Sequence, residues 1–378
     1  CSNSVASTQR ETQLDYRNRN LRGVFRQDFG WLDGRLYLGV DAILSTEDDD
    51  TYNRVDFTRG TLRDAYHLQE KNIAPFAELS LSPLDKLRLT GGLRYETFKI
   101  DIDDRSPGGD RDGVREYNSL IAKFGATYEL NQDHRLWVNV SEGYYLPNTS
   151  QTLTGVNARD LPPEDSLTYQ VGLRGASLDN LFGYDAAFYR TTIKGQGLNL
   201  LCGGDATLCP EVATDAATYP AAAGEVRYQG IETSAFYQIS EALRFSFAYT
   251  YARNEFVDFV DSSGDYSGNF NAQSPKHHLN ARVQIRPIAG LQAEIEADYL
   301  SAYFTNTANT DRYRRPVLTN LHASYEVTPT LKLHLSILNL FDVRYADRIS
   351  ATNEALPVRT YNEGHQPFML RAGITARW

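Results

Sequence analysis

No stretch of the sequence approaches the roughly 18 consecutive apolar residues that a membrane-spanning helix needs. Sulfur is scarce, with one methionine and three cysteines against 24 tyrosines and 17 phenylalanines. That balance is unusual for a soluble enzyme. Basic charge is not in surplus either, because the 378 residues carry a net charge of −10. Phosphate contacts need clustered lysine and arginine, so the charge balance argues against nucleic acid as a partner. The chain opens on Cys1 with no charged and then apolar stretch behind it, so no secretory signal is legible. A fragment would explain this start. So would a processed terminus, and Cys1-Ser2-Asn3-Ser4 also suits a mature lipoprotein. No convincing 3.6-residue periodicity appears. No Ser–His–Asp spacing stands out among seven scattered histidines, which argues against a surface protease or lipase.

What the sequence does contain is alternation. Leu87, Leu89, Leu93 and Tyr95 alternate with Arg88, Thr90, Gly92 and Arg94. Leu243, Phe245, Phe247, Tyr249 and Tyr251 alternate with Arg244, Ser246, Ala248 and Thr250. Leu291, Ala293, Ile295, Ala297 and Tyr299 do the same with Gln292, Glu294, Glu296 and Asp298. Period 2 is the strand signal. About fifteen such segments are counted, near 15–29, 35–46, 71–82, 86–101, 116–130, 134–145, 166–176, 181–194, 225–239, 242–256, 276–286, 291–304, 313–328, 331–342 and 366–378. The mean hydropathy of −0.46 reads as soluble only because two opposite faces cancel in the average.

The polar face decides which way the sheet is turned. Arg88, Arg94, Lys123, Arg244, Arg282, Arg286, Glu294, Glu296 and Asp298 lie on it. Charges in such numbers cannot fill a packed core unpaired, but they can line a wet lumen. The apolar face then meets lipid, with tyrosine and phenylalanine near the strand ends as interfacial girdles. The connections alternate short and long. Short ones include Pro83–Asp85, Ser240–Glu241 and Pro329–Thr330; long ones fall near 47–70, 146–165, 195–224 and 343–365. Turns on one side and loops on the other predict an antiparallel transmembrane β-barrel of the outer-membrane type. Its partners are then outer-membrane lipid and lipopolysaccharide.

The last segment alternates Phe368, Leu370, Ala372, Ile374, Ala376 and Trp378 on one face. It resembles the terminal strand that outer-membrane proteins present to their barrel assembly machinery, with tryptophan where most have phenylalanine. Counting strands back from there leaves 15–29 running downward, and residues 1–14 as the tail of an extracellular loop. Residues 15–378 form the barrel portion. An even strand count and closed edges predict further strands, about seven if the parent has 22.

Several motifs in order resemble the TonB-dependent receptors. Ser141-Glu142-Gly143-Tyr144-Tyr145-Leu146-Pro147 precedes a loop that is followed by Leu161-Pro162-Pro163-Glu164-Asp165-Ser166-Leu167-Thr168-Tyr169. Tyr228-Gln229-Gly230-Ile231-Glu232, Ser274-Pro275-Lys276-His277-His278 and Asn339-Leu340-Phe341-Asp342-Val343-Arg344-Tyr345 come after. The resemblance covers residues 140–378, and residues 15–130 agree in pattern only. It implies energised import of a scarce nutrient, foremost a ferric siderophore, with haem, cobalamin or a glycan as other ligands. A plug domain and a TonB-contacting box are implied but not recognisable in this chain, so the chain by itself is not expected to transport. A passive porin-like channel is the reading the motifs argue against. Asn339 and Asp342 have a structural use where a strand breaks into a loop, as Gly172 and Gly230 have where a sheet bends.

Tyr144, Tyr145, Arg159, Tyr219, Tyr303, Phe304, Arg312 and Arg359 are the expected ligand contacts. Siderophores are often anionic with planar chelating groups, which arginine and tyrosine suit. Cys202 and Cys209 flank six residues in an external loop, and an oxidising cell surface favours a disulfide between them. No cofactor and no metal site is expected. The acidic runs at 47–50 and 101–112 read as solvated loops or a lipopolysaccharide-facing surface rather than Ca²⁺ sites. His67 and His365 lie near external loops where haem iron is conceivable, whereas His134, His277, His278, His322 and His334 read as strand residues.

Overall fold

The computed structural model describes residues 10–55, 58–109, 112–146, 161–177, 179–201, 218–222, 224–353, 356–362 and 366–377. Fifteen strands form one antiparallel sheet in strict sequence order. They are β1 Arg10–Phe29, β2 Gly34–Val55, β3 Thr58–Leu84, β4 Leu87–Asp104, β5 Gly113–Glu129, β6 His134–Tyr145, β7 Glu164–Ala176 and β8 Phe182–Lys194. There follow β9 Glu225–Ser240, β10 Leu243–Asp258, β11 His277–Ile285, β12 Leu291–Leu300, β13 Leu318–Thr328, β14 Leu331–Leu338 and β15 Met369–Ala376. The five histidines expected in strands are all there.

The register confirms the two faces. Arg282 pairs with Glu296 across β11 and β12, and Ala281 pairs with Ala297 beside it. On the inner face Glu296 accepts from Asn280 at 2.8 Å, Arg282 at 2.8 Å and Asn320 at 3.0 Å. Asp298 accepts from Arg315 and meets His278 at 2.8 Å. Arg94 bonds both Asp41 and Glu96, and Lys123 pairs with Glu78. Each of these inward charges therefore has a partner of opposite sign or an amide on its own or a nearby strand. The outer face stays bare: Leu93 is 54% exposed, Ile231 46% and Ile374 72%.

Two expectations about length are corrected. Residues 47–70 read as a loop, yet β2 has 22 residues and β3 has 27. A tilted strand needs about 9–11 to cross the bilayer, so this hairpin continues well beyond it. Aspartate is disfavoured in isolated strands, which is why the run 47–50 breaks the pattern. Here the ladder already formed below carries on, with Glu47 opposite Leu68 and Asp50 opposite Ala65. Tyr66 donates to Glu47 at 3.0 Å and His67 Nδ1 meets Asp48 at 2.8 Å. Likewise β1 begins at Arg10, which pairs with Asn53, so residues 10–14 extend a strand where a loop tail was expected.

β1 and β15 are the two edges of the sheet, and they do not pair with each other. Peptide groups at an open edge have no partner in hydrocarbon. The sheet is therefore an arc of a larger barrel.

Gly172 and Gly230 sit where a neighbouring ring crosses the ladder. The indole of Trp137 lies over Gly172, its direct cross-strand partner. At Gly230 an added Cβ would collide with the carbonyl oxygen of Tyr251 and crowd the Tyr189 ring, whereas Gly91 faces open space. Overpacking of this kind costs about 1–3 kcal/mol. Gly230→Val is expected to lower the temperature at which the barrel loses its compact, heat-modifiable form on gels, and Gly91→Ala to leave it unchanged.

Candidate functional site

Inner-face chemistry changes with height. Along β4 the inward positions run Arg88, Thr90, Gly92, Arg94 and Glu96, and then Phe98, Ile100 and Ile102. At the loop end Leu68, Ile100, Ile102 and Tyr117 are buried together, with Tyr66, Phe98, Tyr144 and Leu146 packed on them. Tyr144 reaches this cluster because β6 parts from β5. The last rung of their ladder joins Lys123 to Ser141, and beyond it the carboxylate of Glu142 accepts the Ala122 N–H at 2.8 Å. Tyr144 then stacks on Phe98 with centroids 6.2 Å apart. Burial, with the Asp165 and Glu96 carboxylates nearby, pushes its phenol pKa up, so it stays a neutral hydroxyl. A cleft of about 960 Å³ opens at the parting, bordered by Ser119, Ile121, Glu142, Gly143 and Ser166.

The loops after β10, β12 and β14 form a second layer. Val226, Phe256, Phe259 and Tyr266 are buried together, and Ala308 packs on them. Short antiparallel pairs join Tyr303–Phe304 to Arg312–Tyr313, and Arg348–Ala351 to Arg359–Asn362. Asn306 lies at the centre. Its amide donates to the Thr310 hydroxyl and the Thr352 carbonyl, both at 2.8 Å, and its carbonyl accepts the Thr310 N–H at 3.1 Å. Arg359 clasps Asp311 with two bonds of 2.9 and 2.7 Å. Phe270 stacks on Phe304 at 6.1 Å, with Lys276 over the first ring and Arg312 over the second.

The expected contacts therefore separate. Tyr145 is 73% exposed, and Arg312 is exposed above Phe304. Tyr303 is only 6% exposed and Arg359 is committed to Asp311. Tyr219 lies in the short strand Thr218–Ala222, whose side chains are outside the described residues. Arg159, Cys202, Cys209, His365 and Trp378 are likewise outside them. Phe368 and Leu370 are both exposed on the edge-strand side of the arc. Phe270, Asn306 and Asp311 were not singled out from sequence. For Asn306 and Asp311 the signal was the Thr305-Asn306-Thr307-Ala308-Asn309-Thr310-Asp311 run, whose composition marks turns.

Asp311 is held below the usual carboxylate range, chiefly by its bonds to Arg359 and further by the Thr305 hydroxyl. A depressed carboxylate gives stability that is present above its unfolded pKa and lost as pH falls through the folded one. Hydrogen exchange of 303–313 and 348–362, corrected for intrinsic rates, should thus show constant protection from pH 7 through about pH 4 and a loss only below it. In Arg359→Ala the protection should be weaker at neutral pH, by no more than about 1 kcal/mol because the pair is partly exposed.

The chain matches the family described as TonB dependent receptor-like, beta-barrel, over residues 2–340. It is 26% identical over 283 residues to the probable TonB-dependent siderophore receptor PiuA of Acinetobacter baumannii, covering 70% of this chain and 36% of that protein. It is also 26% identical over 235 residues to the ferrioxamine receptor of Yersinia enterocolitica, covering 61% and 29%. The chain thus spans about a third of the length of the curated relatives it matches. Among solved structures, unliganded ferric citrate transporter FecA superposes with a TM-score of 0.73 at 17% identity, over 97% of this chain and 55% of that one. The siderophore receptor PiuA from Acinetobacter baumannii gives 0.73 at 18%, over 97% and 56%. A sheet of fifteen neighbour-paired strands with a charged inner and an apolar outer face, matched along most of its length by one family, settles the assignment: this chain belongs to the TonB-dependent receptors and forms part of their β-barrel in the bacterial outer membrane.

Proposed function

We propose that this barrel arc belongs to a receptor for TonB-energised uptake of a ferric siderophore. The observation that carries the reading is the change of the inner face from paired charges to aromatic side chains at its loop end. The names of the relatives support the same ligand class. A planar, anionic chelate gains from stacking on rings and from guanidinium groups beside them. Tyr144, Tyr145, Phe304 and Arg312 are the contacts this reading assigns. Tyr303 and Arg359 hold the loop layer that presents Phe304 and Arg312. Arg159, between β6 and β7 in the sequence, and Tyr219, between β8 and β9, complete the proposed set. The plug and the TonB contact are assigned to the parts of the receptor that this arc does not include, and the lumen charges would face the plug.

The test uses the full-length receptor that carries this barrel, in cells lacking other iron receptors. Saturable uptake of radiolabelled ferric siderophore that stops when the proton gradient is collapsed is the expected result. Tyr145→Ala and Arg312→Ala should each weaken binding by about 0.5–2 kcal/mol, or roughly two- to thirtyfold, without lowering the amount of receptor in the membrane. Unsaturable entry that survives collapse of the gradient would replace this reading with a passive channel. Saturable uptake of haem, cobalamin or a glycan alone would keep the receptor and change its ligand.

A further inference from the structure

We propose that Glu142 is a positioning residue for the ligand contacts of β6. Its carboxylate holds the β5–β6 ladder open, so that the upper end of β6 passes on the lumen side of β5 and carries Tyr144 and Tyr145 into the mouth. The inference rests on the reading of these two tyrosines as ligand contacts and names what sets their place.

Register and packing place Tyr144 on different sides of the wall. Across β6 and β7, Val140 pairs with Tyr169, Glu142 with Leu167 and Tyr144 with Asp165. By alternation these residues share the lipid-facing side, where Tyr169 is exposed. Yet the Tyr144 ring stacks on Phe98, which lies on the lumen side of β4 with Arg94 and Glu96. Leu146, two residues further on, packs on the same buried cluster. A side chain on the outer side of one strand reaches the inner side of another only where the first strand passes beneath the second. The cleft at the parting has the lining that such an overlap leaves. It joins Ser119 and Ile121, from the lumen side of β5, to Leu167 and Tyr169, from the lipid-facing side of β7. Tyr145 lies on the opposite side of β6 from Tyr144 and stays open to solvent.

The Glu142 carboxylate sits where the overlap begins. Phe124 pairs with Val140 and Lys123 with Ser141, so the next rung would join Ala122 to Glu142. In a continued ladder a main-chain carbonyl of β6 takes the Ala122 N–H. Here the Glu142 side chain takes it, at 2.8 Å. With that donor occupied the zipper stops, and the facing edges at Leu120 and Tyr144 form no rung. Were the ladder to close, Tyr144 would stand opposite Leu120, which is exposed on the lipid-facing side. It would then leave Phe98. The parted arrangement also has a cost, because it buries the Tyr144 hydroxyl with no hydrogen-bond partner among the described residues. Closing the ladder would remove that cost and add backbone bonds. Ring stacking and the Glu142 bond oppose it, and Glu142 acts at the rung through which closure must pass.

The test is made on the full-length receptor in detergent, with two readouts. Amide hydrogen exchange at Leu120 and Tyr144 reports whether the ladder is open, and binding of ferric siderophore reports its use. In Glu142→Ala the two amides should exchange at least about tenfold more slowly as the strands close. Binding should weaken by roughly two- to thirtyfold, as in Tyr145→Ala. Combined with Tyr145→Ala, the alanine at 142 should add little further loss, because both act on the same contact. Glu142→Gln keeps an acceptor oxygen and should match the wild type in both readouts. Glu142→Met keeps the length without that oxygen, and it serves if the alanine variant does not fold. Unchanged exchange in Glu142→Ala and Glu142→Met would show that the carboxylate does not hold the ladder open. Slowed exchange in Glu142→Gln as well would assign the parting to charge rather than to the bond. Slowed exchange with unweakened binding, where Tyr145→Ala still weakens it, would show that the strand position is not used. Each of these three results overturns the proposal and leaves the receptor reading standing. If Tyr144→Ala and Tyr145→Ala also bind normally, the tyrosines are not ligand contacts, and the role given to Glu142 falls with them.

Discussion

Hydrocarbon offers no hydrogen-bond partner to a peptide group, and the rest of this structure depends on that constraint. A chain in lipid must pair every N–H and C=O within the protein, and an antiparallel sheet that hands each strand to its neighbour does so with short turns. The two-residue connections between β3 and β4, β9 and β10, and β13 and β14 are the minimum that allows it. With the backbone satisfied, side chains alone decide orientation. Period-2 alternation then places one residue in lipid and the next in the lumen, and a one-residue slip would exchange the two faces entirely.

The lumen solves a second problem with the same geometry. Inward charges lie about one strand spacing apart, so an acidic residue on one strand finds a basic or amide group on the next. Glu296 and Asp298 each gather several donors, and Arg94 spans two strands to reach Asp41. The lumen carboxylates are thus matched where an unpaired one would cost most. Above the bilayer water is available, and there the inward face turns to rings and aliphatic chains that pack on one another.

How much of this was legible in the sequence follows from the same physics. Alternation and turn spacing revealed the strands, their order and their facing, because lipid and lumen impose opposite chemistries on adjacent residues. Above the membrane that selection is lifted. The 47–50 run lies in a strand although its composition says loop, since both faces there are wet. The loop layer was illegible for a different reason. Asn306 and Asp311 act through residues some fifty positions away, such as Thr352 and Arg359, and no local pattern encodes that. Asn339 was legible in part. Its side-chain bonds to the Val343 backbone fit the expected strand break, but it also donates to the carbonyl of Gln366, and Asp342 accepts the N–H of Phe368. That motif ties the approach of the last strand to the end of β14. Tyr303 and Arg359 look like ligand contacts by type and position, yet their surroundings use them for the loops themselves.

Strict neighbour pairing also has a kinetic side. Every strand bonds to the ones just before and after it, so each rung forms across a single hairpin whose ends start close together. The entropy of bringing distant segments into register, which slows most large sheets, is deferred. The arc can grow one hairpin at a time, each new strand using the last as its template. Joining the two edges of the completed cylinder is the one event that must search the whole length of the polypeptide.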